Sequence, residues 1–527
     1  MDDHITRALS LSRRRMLVAG LGAFLAPALD PRQALAQPVF ADYPFQLGVA
    51  AGDPAPDGFV IWTRLAPDPL APGYGMPARP VPVSWEVAED EAFARIAAKG
   101  EAVARPELAH AVHVEVAGLS SARTYHYRFM AGSERSLTGR ARTTPAVGAS
   151  LARARFGVVG CQHYEQGLYT AHRRLAQEDE LDFVFCYGDY IYEGRSARVW
   201  NSSAGPQANQ RQHVGQETYS LDDYRRRYAQ YKMDADLQAS HAAAAWFVTW
   251  DDHEIDNNWA ANLDQDGTDP ALFRLRQQSA MQAYYEHMPL RRSAFPAGPA
   301  MRLYRRADYG SLLRLNLLDT RQYRTGQPCG GRWGACDELE RASEMLGAAQ
   351  ERFVFDSLSS SPARWNVLAQ QVMMMDLDRD PGPGYMANPD SWGGYRAPRA
   401  RLLRHIRDRQ VSNPVVLTGD EHQNYAGELH LNGREPGPRA IATEFVATSI
   451  TSGGDGTDQS PRMAQIQAAN PQLKFNNSQR GYLLCEVTPE RFETAFRVLD
   501  KVSAPGGAVS TRARLVVPNG ETVVVPA

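Results

Sequence analysis

Five apolar, strand-like runs each end in a cluster of polar residues able to hold metal, and this repetition constrains the fold more than any other feature of the chain. The run 156–160 leads into Cys161-Gln162-His163, and 183–187 into Gly188-Asp189-Tyr190-Ile191-Tyr192-Glu193. The run 246–250 leads into Asp251-Asp252-His253-Glu254, 312–318 into Asp319-Thr320-Arg321, and 415–418 into Gly419-Asp420-Glu421-His422. In open α/β sheets, sites collect outside the carboxyl ends of strands. One such ending is an ordinary turn; five predict a single polynuclear metal centre along one edge of one sheet.

The residue types differ from ending to ending, and so does their chemistry. In Gly188-Asp189-x-x-Tyr192 the carboxylate can bridge two cations, the phenol can ligate a hard ferric ion, and Gly188 allows the tight turn. Asp252 places a ligand carboxylate beside the His253 imidazole, which can steady developing charge or protonate a leaving oxygen. The same segment also reads as a helix N-cap. Asp256 and Asn257, one turn on, offer further oxygens. Asp420 and His422, two apart on an extended segment, share a face; a solvated turn is the competing reading. Cys161 would be the soft ligand, since thiolate favours transition metals, although a lone cysteine there also reads as core. Arg321 could hold a phosphate oxygen or form a structural ion pair with Asp319.

At 527 residues the chain predicts two or more domains. With 43% hydrophobic and 22% charged residues it has the composition of a soluble globular protein. A formal charge of −3 gives no bulk electrostatic case for nucleic acid or membrane partners. Ser12-Arg13-Arg14-Arg15-Met16-Leu17, an apolar stretch over 16–29 and Ala34-Leu35-Ala36 predict a twin-arginine signal peptide over residues 1–36. Its apolar stretch is too short to span a bilayer comfortably. The expectation is export by the twin-arginine machinery to the periplasm or beyond, without a transmembrane anchor. Cys329 and Cys336 could close a local disulfide in such a compartment, while Cys186 and Cys485 read as buried thiols.

Period-two alternation over residues 40–145, with Leu119 and Tyr125 in a tyrosine-corner pattern, predicts an N-terminal all-β, fibronectin-like sandwich. Residues 145–152 read as a linker. Alternating strands and helices over 152–500, with helices at 168–179, 221–229, 271–287, 345–358 and 398–408, predict a mixed α/β domain. Residues 501–527 read as a tail packing on it. The stretches 196–218 and 376–396 read as long loops walling a site.

The chain resembles the metallophosphatases, and most closely the PhoD-type alkaline phosphatases/phosphodiesterases. The resemblance rests on 48–54, Val60-Ile61-Trp62-Thr63-Arg64, Gly160-Cys161-Gln162, 188–192, 250–254, 318–324, 419–424 and 448–455. Purple acid phosphatases are a more distant likeness, sharing Gly188-Asp189-x-x-Tyr192. Relative to their motifs, Gly-Asn-His-Glu/Asp becomes Asp251-Asp252-His253-Glu254, and histidines give way to oxygens at Gln370 and at Asp420. The resemblance implies an α/β/β/α sandwich and hydrolysis of phosphate mono- and diesters at a ferric iron–calcium centre, with zinc or manganese as alternatives. It implies Cys161, Asp189 and Tyr192 as iron ligands. Asp189, Asp252 or Asn257, and Asp420 are implied as calcium ligands, with His422 at an iron or mixed site. His253 and Arg321 are the expected catalytic residues. A phospholipase D-like esterase would use the same ligands, and an exported metal-containing binding protein is the non-enzymatic alternative.

Overall fold

The computed structural model describes residues 38–527 except 203–204, 299, 342, 434–435 and 438. The expected signal peptide therefore lies outside the described residues. Two large sheets pack face to face. In the first, ten strands run in the order Val525–Pro526, Val509–Pro518, Arg491–Leu499, Gly481–Val487, Ala154–Val159, Phe183–Cys186, Ala245–Val248, Val49–Ala55, Gly58–Arg64 and Ala111–Val116. In the second, seven run in the order Arg305–Tyr309, Leu313–Leu317, Trp365–Ala369, Pro414–Thr418, Ala442–Val446, Asn424–Leu429 and Leu473–Asn477. Each has a parallel centre and antiparallel flanks.

Side-chain alternation dictates the layers. Phe183 and Phe185 point between the sheets, where they join Phe156, Val158, Leu315, Val367 and Leu417. Their neighbours Val184 and Cys186 point the other way, onto an outer layer that includes Tyr224, Tyr228 and Met281. Val416 and Leu368 face the opposite outer layer with Val354, Leu402 and Leu403. Strands apolar on both faces must be covered on both, and an α/β/β/α sandwich does this. The covering helices include Thr170–Ala176, Leu221–Lys232 and Pro270–His287 on one side. Gly347–Ser359 and Arg396–Asp408 lie on the other. Leu221–Lys232 starts at a Ser220–Asp223 capping box, and Pro270 occupies the first turn after an Asp269 cap.

The N-terminal segment is a sandwich with a shared wall. Ile96–Ala104, Val81–Ala88, Thr124–Ala131, Glu134–Arg135 and Gly139–Arg142 form its own sheet. The opposing layer is Val49–Ala55, Gly58–Arg64 and Ala111–Val116, which extend the ten-stranded sheet through Ala51 and Gly52 opposite Ala245 and Trp246. Phe59 and Ile61 pack with Val83, Tyr125 and Tyr127 in one core. The tyrosine corner is present, with the Ser120 N–H donating to the Tyr125 hydroxyl at 2.9 Å. Likewise Val509–Pro518 and Val525–Pro526 are strands of the ten-stranded sheet. The stretch 196–218 contains a two-stranded ribbon, Val199–Ser202 with Gly205–Ala208, rather than loop alone. Cys329 and Cys336 form a disulfide, and Cys186 and Cys485 are free and buried.

Candidate metal centre

The five strand ends meet, but not on one sheet. Ala154–Val159, Phe183–Cys186 and Ala245–Val248 are adjacent parallel strands of the ten-stranded sheet, whereas Leu313–Leu317 and Pro414–Thr418 belong to the seven-stranded one. The expectation of one edge of one sheet is thus corrected: the ends converge at the seam where two stacked sheets present their carboxyl termini together. Packing across the seam explains the glycines. The Tyr187 ring fills the space in front of Gly160 and Gly419, where a Cβ would lie 2.3 and 2.0 Å from its Cε2. Only glycine at both positions lets this ring bridge the sheets. Gln371 adds a polar staple, its Nε2 donating to Thr249 Oγ1 at 2.9 Å and to the Leu318 carbonyl at 2.8 Å.

Past these glycines the chain turns sharply. Cys161, Asp189, Asp420 and His422 all take left-handed backbone angles, with φ of 50°, 53°, 65° and 54°. Non-glycine residues in this region carry strain and cluster at functional sites. Glu254 fixes two of the turns, accepting from the N–H groups of Asp189 (3.1 Å), Tyr190 (2.6 Å) and Asp251 (2.9 Å).

The turns bring the donors into two abutting groups. Asp189 Oδ2 lies 3.3 Å from Cys161 Sγ and 2.8 Å from the Tyr192 hydroxyl, which lies 3.1 Å from His422 Nε2. Cys161, Asp189 and His422 offer ligand atoms mutually within 4.8 Å, as do Asp189, Asp252 and His253, and Asp251, Asp252 and Asp420. Asp189 belongs to the first two sets and Asp252 to the last two. One half of the centre therefore carries sulfur, phenol, carboxylate and imidazole, and the other carries carboxylates. Sulfur and nitrogen suit a transition metal, and an all-oxygen set suits a hard cation.

Electrostatics say what these groups lack. Burial, reinforced by Asp189, Asp251 and Asp420, holds the Cys161 thiol well above its usual range. Burial and the neighbouring carboxylates likewise push Asp189 and Asp420 far up, and Asp251 up to about 7. Asp251 Oδ2 has no hydrogen-bond partner although it is buried. Acids crowded out of water and left unpaired fit cations, whose charge would ionise thiol and carboxyl alike. Burial pushes His422 down to about 3, leaving the neutral imidazole that a ligand must be. For His253 burial opposes the charge, but Glu193, Asp252 and Asp189 outweigh it and raise the imidazole well above its usual range. Its Nδ1 sits 2.7 Å from Glu193 Oε2, and its ring stacks on Tyr192 at 4.0 Å.

Cys161, Asp189, Tyr192, Asp252, His253, Asp420 and His422 are thus brought together. Asn257 is not: its side-chain amide donates to Gln265 Oε1 at 2.5 Å, near the surface. Its peptide N–H instead reaches Glu193, because the turn after Asp252 spends its inward-facing groups on that carboxylate. Arg321 also differs from expectation as a catalytic residue. It is fully buried, with Nη1 2.8 Å from both Asp390 oxygens, Nη2 3.2 Å from Asp420 Oδ1 and Nε on Asp251. A guanidinium with four of its five N–H donors on protein carboxylates binds the site together and has no free fork for phosphate. Gln370 is structural, donating to the Val372 carbonyl at 2.7 Å.

Sequence reasoning gave no role to Glu193, Glu254, Asp390 or Ser452. Ser452 Oγ lies 2.7 Å from the Tyr192 hydroxyl and 2.8 Å from the Cys161 carbonyl. Glu193 and Glu254 stood inside the polar clusters, and Ser452 inside the 448–455 motif. A cavity of about 720 Å³ opens beside His422, and a second of about 300 Å³ beside Asp420. Trp333, Arg379, Glu421 and Gln423 line both.

This architecture has known relatives. Residues 156–496 match the PhoD-like phosphatase family model, and residues 31–145 match its N-terminal domain. Alkaline phosphatase D of Bacillus subtilis (strain 168) is 46% identical over 509 residues, covering 96% of this chain and 86% of the relative. A solved structure of PhoD superposes with a TM-score of 0.89 at 46% identity, covering 93% of each chain.

Proposed function

The chain belongs to the PhoD-like phosphatase family and is a phosphoric ester hydrolase, and from that premise we propose that it is an exported enzyme hydrolysing phosphate mono- and diesters at a ferric iron–calcium centre. One observation carries the metal assignment: the Asp189 carboxylate joins a sulfur–phenol–imidazole donor set to an all-carboxylate set. Cys161, Asp189, Tyr192 and His422 would hold the iron. Asp189, Asp252 and Asp420, with the unpaired Asp251 oxygen, would hold calcium. Such cations withdraw charge from phosphoryl oxygens and make water a better nucleophile at moderate pH.

The protein's own groups supply the rest. Glu193 keeps His253 protonated and fixes its ring against Tyr192. As the phosphorus–oxygen ester bond breaks, His253 gives its proton to the departing oxygen, and water delivers its oxygen to phosphorus. His253 regains the proton from that water. Arg321 holds Asp251 and Asp420 in place without touching substrate. Export is inferred from the twin-arginine pattern at 12–17 and the cleavage pattern at 34–36. Among the described residues no helix is long and apolar enough to cross a membrane.

Asp189→Asn tests the reading, since it removes one negative charge at the shared position and keeps the shape. Elemental analysis of wild-type protein should find iron and calcium, and the variant should lose both together with turnover of a chromogenic diester. Retained turnover by the variant, or zinc alone in the wild type, would overturn the centre as proposed.

A further inference from the structure

We propose that the cavity beside His422 is a subsite for a planar aromatic ring, carried on the second ester substituent of a phosphodiester and stacked against Trp200 and Trp333. The proposal rests on the diester reading above and adds the class of diester. Of the nine tryptophans, Trp62, Trp246, Trp250, Trp259, Trp365 and Trp392 are wholly buried. Trp333 is 51% exposed, and Trp200 is half-buried. Both line the same cavity, whose wall includes the ligand His422. Indole surface left open to water beside a reacting centre is available to a ligand that covers it.

Both indoles are held in place, as a stacking platform requires. Trp333 lies within the loop closed by the Cys329–Cys336 disulfide. The Arg379 guanidinium sits 5.0 Å from its ring centroid and is tied at 2.5 Å to Glu421, one residue from both Asp420 and His422. The wall is thereby connected to the metal-binding turn itself. Trp200 stands on the two-stranded ribbon and packs on Gly454, where a Cβ would come within 3.0 Å of its Cζ2. Gly453 and Gly456 line the cavity beside it, with Asp455 and Thr457 of the same segment.

The remaining lining fits the same ligand class. Met386, Met463 and Ile466 are apolar, Arg462 favours an anion, and the amides of Gln207 and Gln423 offer donors and acceptors to ring edges. A volume of about 720 Å³ accommodates a ring with its sugar or linker. An aryl ester and a nucleoside ester share this chemistry.

The test uses metal-loaded enzyme and three p-nitrophenyl diesters that share one leaving group. Their second substituent is methyl, phenyl or thymidine. The ring-bearing diesters should exceed the methyl diester in kcat/KM by about ten-fold, chiefly through KM, since stacking on an aromatic side chain is worth this much or more. Trp333→Ala and Trp200→Ala should each bring that ratio down toward one, and Trp333→Phe should restore most of it. Parity of phenyl and thymidine identifies stacking alone; an advantage for thymidine adds readout of the base edge. A wild type indifferent to the ring, or variants that keep the wild-type ratio, would overturn the proposal. If no diester turns over, the diester reading fails separately. The ring subsite is then judged by tryptophan fluorescence, where thymidine 5′-monophosphate must bind more tightly than inorganic phosphate, and equal affinity overturns it.

Discussion

Removing the Arg321 guanidinium would leave the buried carboxylates of Asp251, Asp390 and Asp420 facing one another without their cation. Breaking a buried ion pair from one side costs about 3–5 kcal/mol, because the partner charge stays behind unpaired. Arg321→Met should therefore lower the unfolding free energy by that much, read from a lower denaturation midpoint, and reduce metal content. Arg321→Lys should recover little, since one ammonium cannot copy a fork that reaches three acids. A substrate-binding arginine would behave in the opposite way, raising KM while the midpoint stayed put. Sequence alone left this choice open, because Asp319-Thr320-Arg321 looks the same whether the arginine points out to solvent or into the seam. Cys161, Asp189, Tyr192, Asp252, Asp420 and His422 were legible because each ends an apolar strand, and strand ends converge by topology. Asn257 was misplaced because it follows the turn, where the direction of a side chain depends on which partner the backbone has already taken. Asp390 was invisible for the same reason, since it comes from a loop whose position is set by distant packing.

At the scale of single elements, the Thr170–Ala176 helix carries a charge-sensitive contact to the centre. His172 on its inner face is wholly buried, with Nε2 2.7 Å from Gln162 Oε1, and burial lowers it to about 3. Gln162 in turn adjoins Cys161, and its Nε2 donates to the Tyr190 carbonyl at 2.8 Å. A histidine held below its unfolded value near 6.5 contributes stability that is full above pH 6.5 and is lost as pH falls toward 3. Between pH 6.5 and 4.5 this amounts to at most about 3 kcal/mol, a slope of about 1.4 kcal/mol per pH unit. His172→Gln should show a shallower loss of unfolding free energy over that window, whatever its stability at neutral pH, and chemical denaturation at several pH values reads it directly. Elements of this kind were mostly legible. The helices at Leu221–Lys232 and Pro270–His287 announce themselves through their length and their Ser220 and Asp269 caps, and the inter-sheet strands through their continuous apolar runs. The Ala235–Ala243 and Pro461–Ala469 helices are short, nine residues each, and tertiary packing rather than length makes them helical.

For the whole molecule, the decisive fact is that the site is a seam. Neither sheet holds all the candidate ligands, since Cys161, Asp189 and Asp252 come from one and Asp420 and His422 from the other. Which sheet each strand joins was not readable from strand-end chemistry, because a parallel strand buried on both faces looks alike in either layer. Cations bound across such a seam fasten the two sheets, and their removal leaves acids repelling across it. Asp251, raised to about 7, and Glu254, raised to about 8, both sit above their unfolded values near 4. A carboxyl raised on folding gives stability that is full below the unfolded pKa and is lost as pH rises through the folded one. Chelated protein should accordingly be less stable at pH 9 than at pH 6.5, a window above the depressed histidines, in which His253, raised well above its usual range, adds a loss of the same sign. Each raised carboxyl contributes up to about 1.4 kcal/mol per pH unit between its unfolded and folded values, where the folded state keeps a proton that the unfolded state has lost. Metal-loaded protein should lack this alkaline loss, because the cations supply the charge that protons otherwise must. Thermal unfolding with and without chelator at the two pH values measures the difference. An equal pH slope in both forms would mean that the carboxylates at the seam do not hold the metal that joins the sheets.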